Sequence, residues 1–196
     1  MTSIIRDFLI DFKIYVGRIQ LFNAKDWLVY ILWNGMMAGL FVIVSAFLYV
    51  GASNGVTYPL WVWNIPLGIA CFVVAIAIDT IGHRTVYKEA LQEGEALIHH
   101  ITIVSGIVSV IILCLGYEHR ELARVPAIVF IFLSIIYSFF DEALHWHRYL
   151  TKKSDRIEMW SHYFILVGHL IMILSWWKWF DEGYPGVKET LLWLPQ

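Results

Sequence analysis

Five apolar runs account for most of this chain, and each has about the length of a helix that crosses a bilayer, roughly 20 residues. They are Trp27–Val50, Trp61–Ile78, Ala96–Gly116, Val125–Phe140 (extending towards His145) and Met159–Phe180. With 59% hydrophobic and only 15% charged residues among 196, the chain is too apolar for a soluble globule. Backbone groups inside lipid must be satisfied internally, which favours helices for such runs. The sequence predicts an all-α integral membrane protein with five transmembrane helices.

The positive charges indicate how the helices cross the membrane. Of 14 Lys and Arg residues, ten lie in the N-terminal segment and in the connections after the second and fourth runs, against four on the other side. Because short cytoplasmic connections are enriched in Lys and Arg, we expect a cytoplasmic N-terminus and an external C-terminus in a bacterial-type inner membrane. The net charge of −2 indicates that nucleic acid is not a partner.

The first 24 residues form a different kind of element. Their apolar side chains recur near helical spacing, with charged residues elsewhere around the helix: Ile4, Ile5, Phe8, Phe12, Tyr15 and Ile19. This pattern predicts an amphipathic helix lying at the membrane interface. We therefore expect an interfacial helix over residues 1–24 and a single transmembrane helical domain over residues 25–196.

All eight histidines lie in the stretch from His83 to His169, and four of them pair with an acid three or four residues away. On a helix, that spacing places both side chains of a pair on one face. Each pair lies where an apolar run begins or ends, and ionisable groups there are costly unless paired or bound to a metal. The pairs are Asp79 with His83, Glu95 with His99, Glu142 with His145, and Glu158 with His162.

Short connections make consecutive spans antiparallel neighbours, so spans two to five are expected to form an antiparallel four-helix bundle. Four residues of helix span about 6 Å, and the alternating chain direction then stacks the pairs in two tiers. The deeper tier contains Asp79, His99, Glu142 and His162; the shallower one contains His83, Glu95, His145 and Glu158. All eight are candidate metal ligands.

This design is similar to the site of ferritin-like di-iron and di-manganese proteins, in which four helices project Glu and Glu-x-x-His ligands. Glu142-x-x-His145 matches that motif, whereas Glu95 with His99 and Glu158 with His162 depart from it by one residue. In its many cytoplasmic histidines the chain is also similar to membrane desaturases and hydroxylases, although it has no H-x-x-x-H or H-x-x-H-H box. The resemblance concerns the design of the site and assigns no family.

Four further residues are candidates for supporting roles. His169 lies seven residues beyond His162, about 10 Å deeper along the same helix face, and fits an additional ligand or a proton relay. His100 and His147 adjoin the pairs and are alternative ligands. Asp141 is expected to be a carboxylate behind the ligands.

We expect a di-metal membrane oxidoreductase of the oxygenase or desaturase type. Its cofactor would be two transition-metal ions, with iron favoured over zinc or manganese, and it would use O2 on a lipid, quinol or other apolar substrate. No nucleotide or flavin fingerprint is present, so reductant would come from an electron-donor protein or a quinol. The alternatives are a b-type haem electron-transfer protein, a zinc-dependent lipid hydrolase, and a non-catalytic metal-binding subunit of a membrane complex. The sequence leaves oligomerisation open.

Overall fold

The computed structural model describes residues 3–86, 94–152 and 155–194, which form helices joined by short connections. The seven α-helices in these ranges are α1 (Ser3–Gly17), α2 (Ala24–Ser53), α3 (Asn64–Thr85), α4 (Glu95–Leu115), α5 (Arg120–Lys152), α6 (Arg156–Asp181) and α7 (Val187–Leu191). Single 3₁₀ turns precede α2 and α3, at Arg18–Leu21 and Leu60–Trp63. Lys88, Lys153 and the side chains of Ile4 and Lys152 lie outside the described residues.

Five of these helices, α2 to α6, are long and apolar enough to cross a membrane. This confirms the prediction of an all-helical chain with five candidate spans. The helices extend beyond the apolar runs, because polar residues continue α3 to Thr85 and α5 to Lys152. The ligand candidates therefore lie on regular helix, where spacing fixes the face of each side chain.

A capping box sets where α2 begins. Asn23 accepts a hydrogen bond from the Asp26 backbone N–H at 3.0 Å, and Asp26 accepts one from the Asn23 N–H at 3.2 Å, which is a capping box. The same Asp26 is buried and lies 2.6 Å from an Arg84 guanidinium nitrogen. This ion pair ties the start of α2 to the end of α3, next to His83.

Helices α3 and α6 run antiparallel and pack together closely at a pair of glycines. A Cβ atom on Gly68 would lie 2.5 Å from the Met172 backbone nitrogen, and one on Gly168 would lie 2.7 Å from that of Phe72. Both distances are shorter than any normal contact, so only glycine fits at these positions. Small residues at such crossings let backbones approach closely, which drives helix association in lipid.

The other long helices join this pair through defined partners. Helix α4 packs mainly on α5, and α5 also packs on α6. At the end of α4, a Cβ atom on Gly116 would lie 2.8 Å from the Ala123 Cβ of α5. Within the described ranges the backbones of α3 and α4 make no close contact, and these helices meet instead through the rings of His83 and His99. Helix α2 packs on α3 and α7.

The N-terminal helix α1 docks against α3 and α6. Its Tyr15 is buried, and the hydroxyl lies where a side chain at Gly82 would have to be, 2.2 Å from an ideal Cβ. An ion pair at 2.7 Å joins Asp11 to Arg156. The outward surface of α1 carries exposed apolar residues, including Leu9 and Ile14. Both faces of α1 therefore carry apolar residues, and α3 and α6 cover one of these faces.

At the end of the protein opposite His83, the chain after α6 folds back over the helices. Tyr184 adopts a positive φ of 56°, and its hydroxyl donates a hydrogen bond to the Leu113 carbonyl of α4. Burial raises the pKa of Tyr184 well above its usual range, so the phenol stays protonated and keeps this donor. Tyr58 and Thr190 are hydrogen-bonded to each other nearby, which joins α7 to the connection after α2, and α7 also packs on α2.

Candidate metal centre

Six side chains from four helices converge where α3 and α5 end and α4 and α6 begin. Four are imidazoles and two are aspartates: Asp79 and His83 of α3, His99 of α4, Asp141 and His145 of α5, and His162 of α6. The four imidazole rings lie within 6.2 Å of one another, centroid to centroid. We call these six residues the His–Asp cluster.

The two aspartates link the imidazoles in pairs. Asp79 lies 3.0 Å from His162 Nε2 and 3.4 Å from His83 Nε2. Asp141 lies 2.6 Å from His99 Nε2 and 3.7 Å from His145 Nε2. Each carboxylate therefore lies between imidazoles of different helices, which is the position of a shared or bridging ligand.

Within the cluster, three groups of residues each offer three ligand atoms that lie within 4.8 Å of one another. The groups overlap, because His83, His145 and His162 each belong to two of them. They are His83 with His99 and His145; Asp79 with His83 and His162; and Asp141 with His145 and His162. Each group could hold a metal ion.

Five of these ligand atoms are buried and make no hydrogen bond of acceptable geometry: Asp79 Oδ1, His99 Nε2, Asp141 Oδ1, His145 Nε2 and His162 Nε2. Two of the nitrogens lie within ion-pair distance of an aspartate oxygen, with 3.0 Å between His162 Nε2 and Asp79 Oδ1 and 2.6 Å between His99 Nε2 and Asp141 Oδ1. Unsatisfied buried polar atoms are rare and need an explanation, of which an ion is one. All five residues belong to groups that could hold a metal ion.

The cluster forms one group rather than two tiers, and the lean of helical side chains explains this. Side chains tilt towards the N-terminus of their own helix. His83 and His145 lie near the ends of α3 and α5 and therefore lean inwards, whereas His99 and His162 lie near the starts of α4 and α6 and lean outwards. The four imidazoles consequently meet at one level.

The remaining predicted ligands lie around the cluster. Glu95 and Glu158 form a separate layer with Arg148, on the side of the cluster where α4 and α6 begin. Glu142 is buried, and its carboxylate accepts a hydrogen bond of 2.6 Å from the indole N–H of Trp146. It belongs to none of the three groups identified among the described residues.

The three other candidate histidines also lie apart from the cluster. His100 and His147 are exposed, and His100 Nδ1 lies 2.5 Å from the Ala96 carbonyl of its own helix. His169 is 5% exposed, and its Nε2 lies 3.1 Å from the hydroxyl of Ser134 on α5. Its ring also lies beside Phe72, at 6.1 Å between centroids. His169 therefore has a hydrogen-bonding partner deeper in the helices than the cluster.

Sequence reasoning placed two residues differently from the structure. Asp141 was expected behind the ligands, whereas the structure places it within the His–Asp cluster; its spacing of four from His145 repeats that of Asp79 and His83 and was an available signal. Arg148 was predicted only to be one of the cytoplasmic positive charges, whereas its side chain is 11% exposed and contacts two buried glutamates. Nothing in the local sequence distinguishes it from an exposed arginine.

The arrangement has a defined chemical capacity. Imidazoles suit iron, zinc, copper and nickel, whereas carboxylates also suit manganese and other hard ions. The buried carboxylates offset part of the positive charge of bound ions where solvent screening is weak. Apolar helices surround the cluster, with large exposed aliphatic side chains suited to contact with lipid.

Comparison of this chain with protein-family models, with curated proteins and with solved structures gave no match. The functional interpretation therefore depends on the geometry of the site.

Proposed function

We propose that this protein holds two transition-metal ions in the His–Asp cluster and acts as a membrane-embedded oxidoreductase. We favour iron, with O2 as the oxidant and an apolar or lipid molecule as the substrate. The observation that carries the proposal is the convergence of six donor side chains from four helices, with five ligand atoms lacking hydrogen bonds. Ionisable groups buried in apolar helices of membrane length are costly, and they mark functional sites.

The spacing of the imidazoles favours metal ions over haem. The rings of His145 and His162 are stacked with centroids 3.3 Å apart, and the other ring pairs lie within 6.2 Å. A porphyrin needs its axial imidazoles on opposite faces of a macrocycle wider than this whole cluster. Mixed imidazole and carboxylate donors are instead the ligand set of paired non-haem ions.

The proposed reaction class balances without a bound organic cofactor. In a desaturation, the substrate loses two hydrogens, and two electrons and two protons arrive from a donor, so that O2 becomes two molecules of water. Bound iron would supply the O2 chemistry. The chain itself would hold the ions and exclude water, and an external protein or a quinol would supply the electrons.

The proposal also concerns how the protein lies in the membrane. We propose that α3 to α6 form an antiparallel four-helix bundle and that α1 lies in the interface, with its exposed apolar residues in lipid. We further propose a cytoplasmic N-terminus and an external C-terminus in a bacterial-type inner membrane. The cluster would then lie near the cytoplasmic leaflet, and residues 1–24 and 25–196 would be separate units.

The experiment that tests this function uses protein purified in mild detergent from iron-supplemented cells. Mössbauer spectroscopy should detect high-spin non-haem iron, and no sharp Soret band should appear in the absorption spectrum. After anaerobic reduction, the protein should consume O2 in proportion to its bound iron, because open ferrous positions react with O2.

Two results would contradict the oxidative function. A Soret band would indicate haem instead. Protein that retains only zinc and consumes no O2 after iron loading would favour the zinc-dependent hydrolase or a metal-binding subunit, both of which use the same cluster.

A further inference from the structure

Three charged side chains from three helices form a layer directly above the cluster. Arg148 of α5 lies between Glu95, the first residue of α4, and Glu158, in the first turn of α6. Its guanidinium donates hydrogen bonds to both carboxylates, with 3.2 Å between Arg148 Nη1 and Glu158 Oε1. The side chains of Glu95 and Glu158 are 3% and 2% exposed. Burying three charges is costly, so this arrangement needs a purpose.

Both glutamates adjoin a member of the cluster. Glu158 Oε1 lies 3.3 Å from His145 Nδ1, and Glu95 Oε1 lies 4.0 Å from His145 Nε2. A carboxylate that accepts from Nδ1–H fixes the tautomer in which Nε2 carries the lone pair. His145 Nε2 is one of the cluster's ligand atoms without a hydrogen bond. Glu158 is therefore placed to orient His145 rather than to bind a metal itself.

We infer that Arg148 keeps Glu95 and Glu158 out of the ligand set and thereby determines which metals the site prefers. The inference rests on the proposed metal site and adds its selectivity. With Arg148 in place, the site presents four imidazoles and two aspartates. Without the guanidinium, two buried carboxylates would lose a counterion beside bound cations, and they would turn towards those cations.

The expected consequence follows from ligand preference. Carboxylates suit hard ions such as Mn²⁺, whereas imidazoles suit Zn²⁺ and iron. Added carboxylates should therefore improve the binding of Mn²⁺ relative to that of Zn²⁺. Arg148 is in this sense a specificity-determining residue of the site.

The test compares the purified wild-type protein with Arg148→Gln and with the triple variant Arg148→Gln/Glu95→Gln/Glu158→Gln. Competition between Mn²⁺ and Zn²⁺ gives the ratio of the two dissociation constants for each protein. We expect Arg148→Gln to shift this ratio towards Mn²⁺ by about tenfold or more, the scale of effect seen when partners of metal ligands are changed. The triple variant lacks both carboxylates and should return to the wild-type ratio.

An unchanged ratio in Arg148→Gln, or a shift that persists in the triple variant, would overturn the inference. If Arg148→Gln does not fold, the single variant Glu95→Gln, which keeps Arg148 and Glu158, takes its place. It should keep the wild-type number of bound ions and the wild-type ratio, because Glu95 is not a ligand; loss of ions would overturn the inference. Failure of the proposed function is distinguishable, since it would appear as wild-type protein without bound metal or without O2 consumption.

Discussion

Replacing His99 by alanine is expected to remove at least half of the metal bound by the purified protein. His99 Nε2 lies 2.6 Å from Asp141, and the ring is grouped with His83 and His145. Its loss removes the only member of the His–Asp cluster contributed by α4 among the described residues. Metal content per chain, measured by inductively coupled plasma mass spectrometry after gel filtration, gives the result.

His100 provides a matched control for this variant, because it is the neighbouring histidine on the same helix. His100 is exposed and lies against the Ala96 carbonyl of its own helix. His100→Ala should retain the wild-type metal content. Equal metal loss in both variants would indicate a general effect of histidine removal on α4, and equal retention would mean that His99 is not a ligand.

Replacing Gly168 by leucine is expected to separate α3 from α6 and destabilise the protein by about 3 kcal/mol or more, the upper range for overpacking. The new Cβ would lie 2.7 Å from the Phe72 backbone nitrogen and 2.8 Å from the Gly68 carbonyl oxygen. Backbone cannot move aside as a flexible side chain can. Unfolding in detergent, followed by tryptophan fluorescence, measures the loss of stability.

This variant should also lose metal, because α3 and α6 carry Asp79, His83 and His162. Gly39→Leu on α2 is the control, since nothing lies within 4 Å of the added Cβ there. It should keep both stability and metal content. A stable Gly168→Leu protein with full metal content would mean that the close crossing of α3 and α6 does not position the site.

The helices and the general location of the site could be predicted because they depend on local sequence. Apolar runs of bilayer length determine the spans, and an acid and a histidine four residues apart share a helix face in any fold. Asp79 with His83 shows this directly, since the sequence pair and the observed contact coincide. For this pair, helix geometry alone was sufficient.

The choice between neighbouring carboxylates depended on how α5 is rotated, which the local sequence does not specify. Asp141 and Glu142 differ by about 100° around the helix, and either spacing is compatible with His145. Packing of α5 against α4 and α6 turns Asp141 towards His99 and leaves Glu142 with Trp146. The Glu-x-x-His motif favoured Glu142 because a spacing motif describes a single helix and contains no information on how helices pack together.

The contacts of Arg148 could not be predicted from the sequence, for a related reason. Its partners, Glu95 and Glu158, lie 53 and 10 residues away along the chain and on two other helices. Only the assembled helices bring the three charges together. The same holds for the hydrogen bond between His169 and Ser134, which joins α6 to α5.

The most direct test of a dinuclear site is the number of metal ions per chain in wild-type protein purified in mild detergent. Metal should be measured by mass spectrometry and protein by quantitative amino-acid analysis, after weakly bound ions are removed by gel filtration. We expect two transition-metal ions per chain, held by the six residues of the His–Asp cluster. Protein that is folded and binds no metal, or one ion only, after loading with iron and with zinc would contradict it.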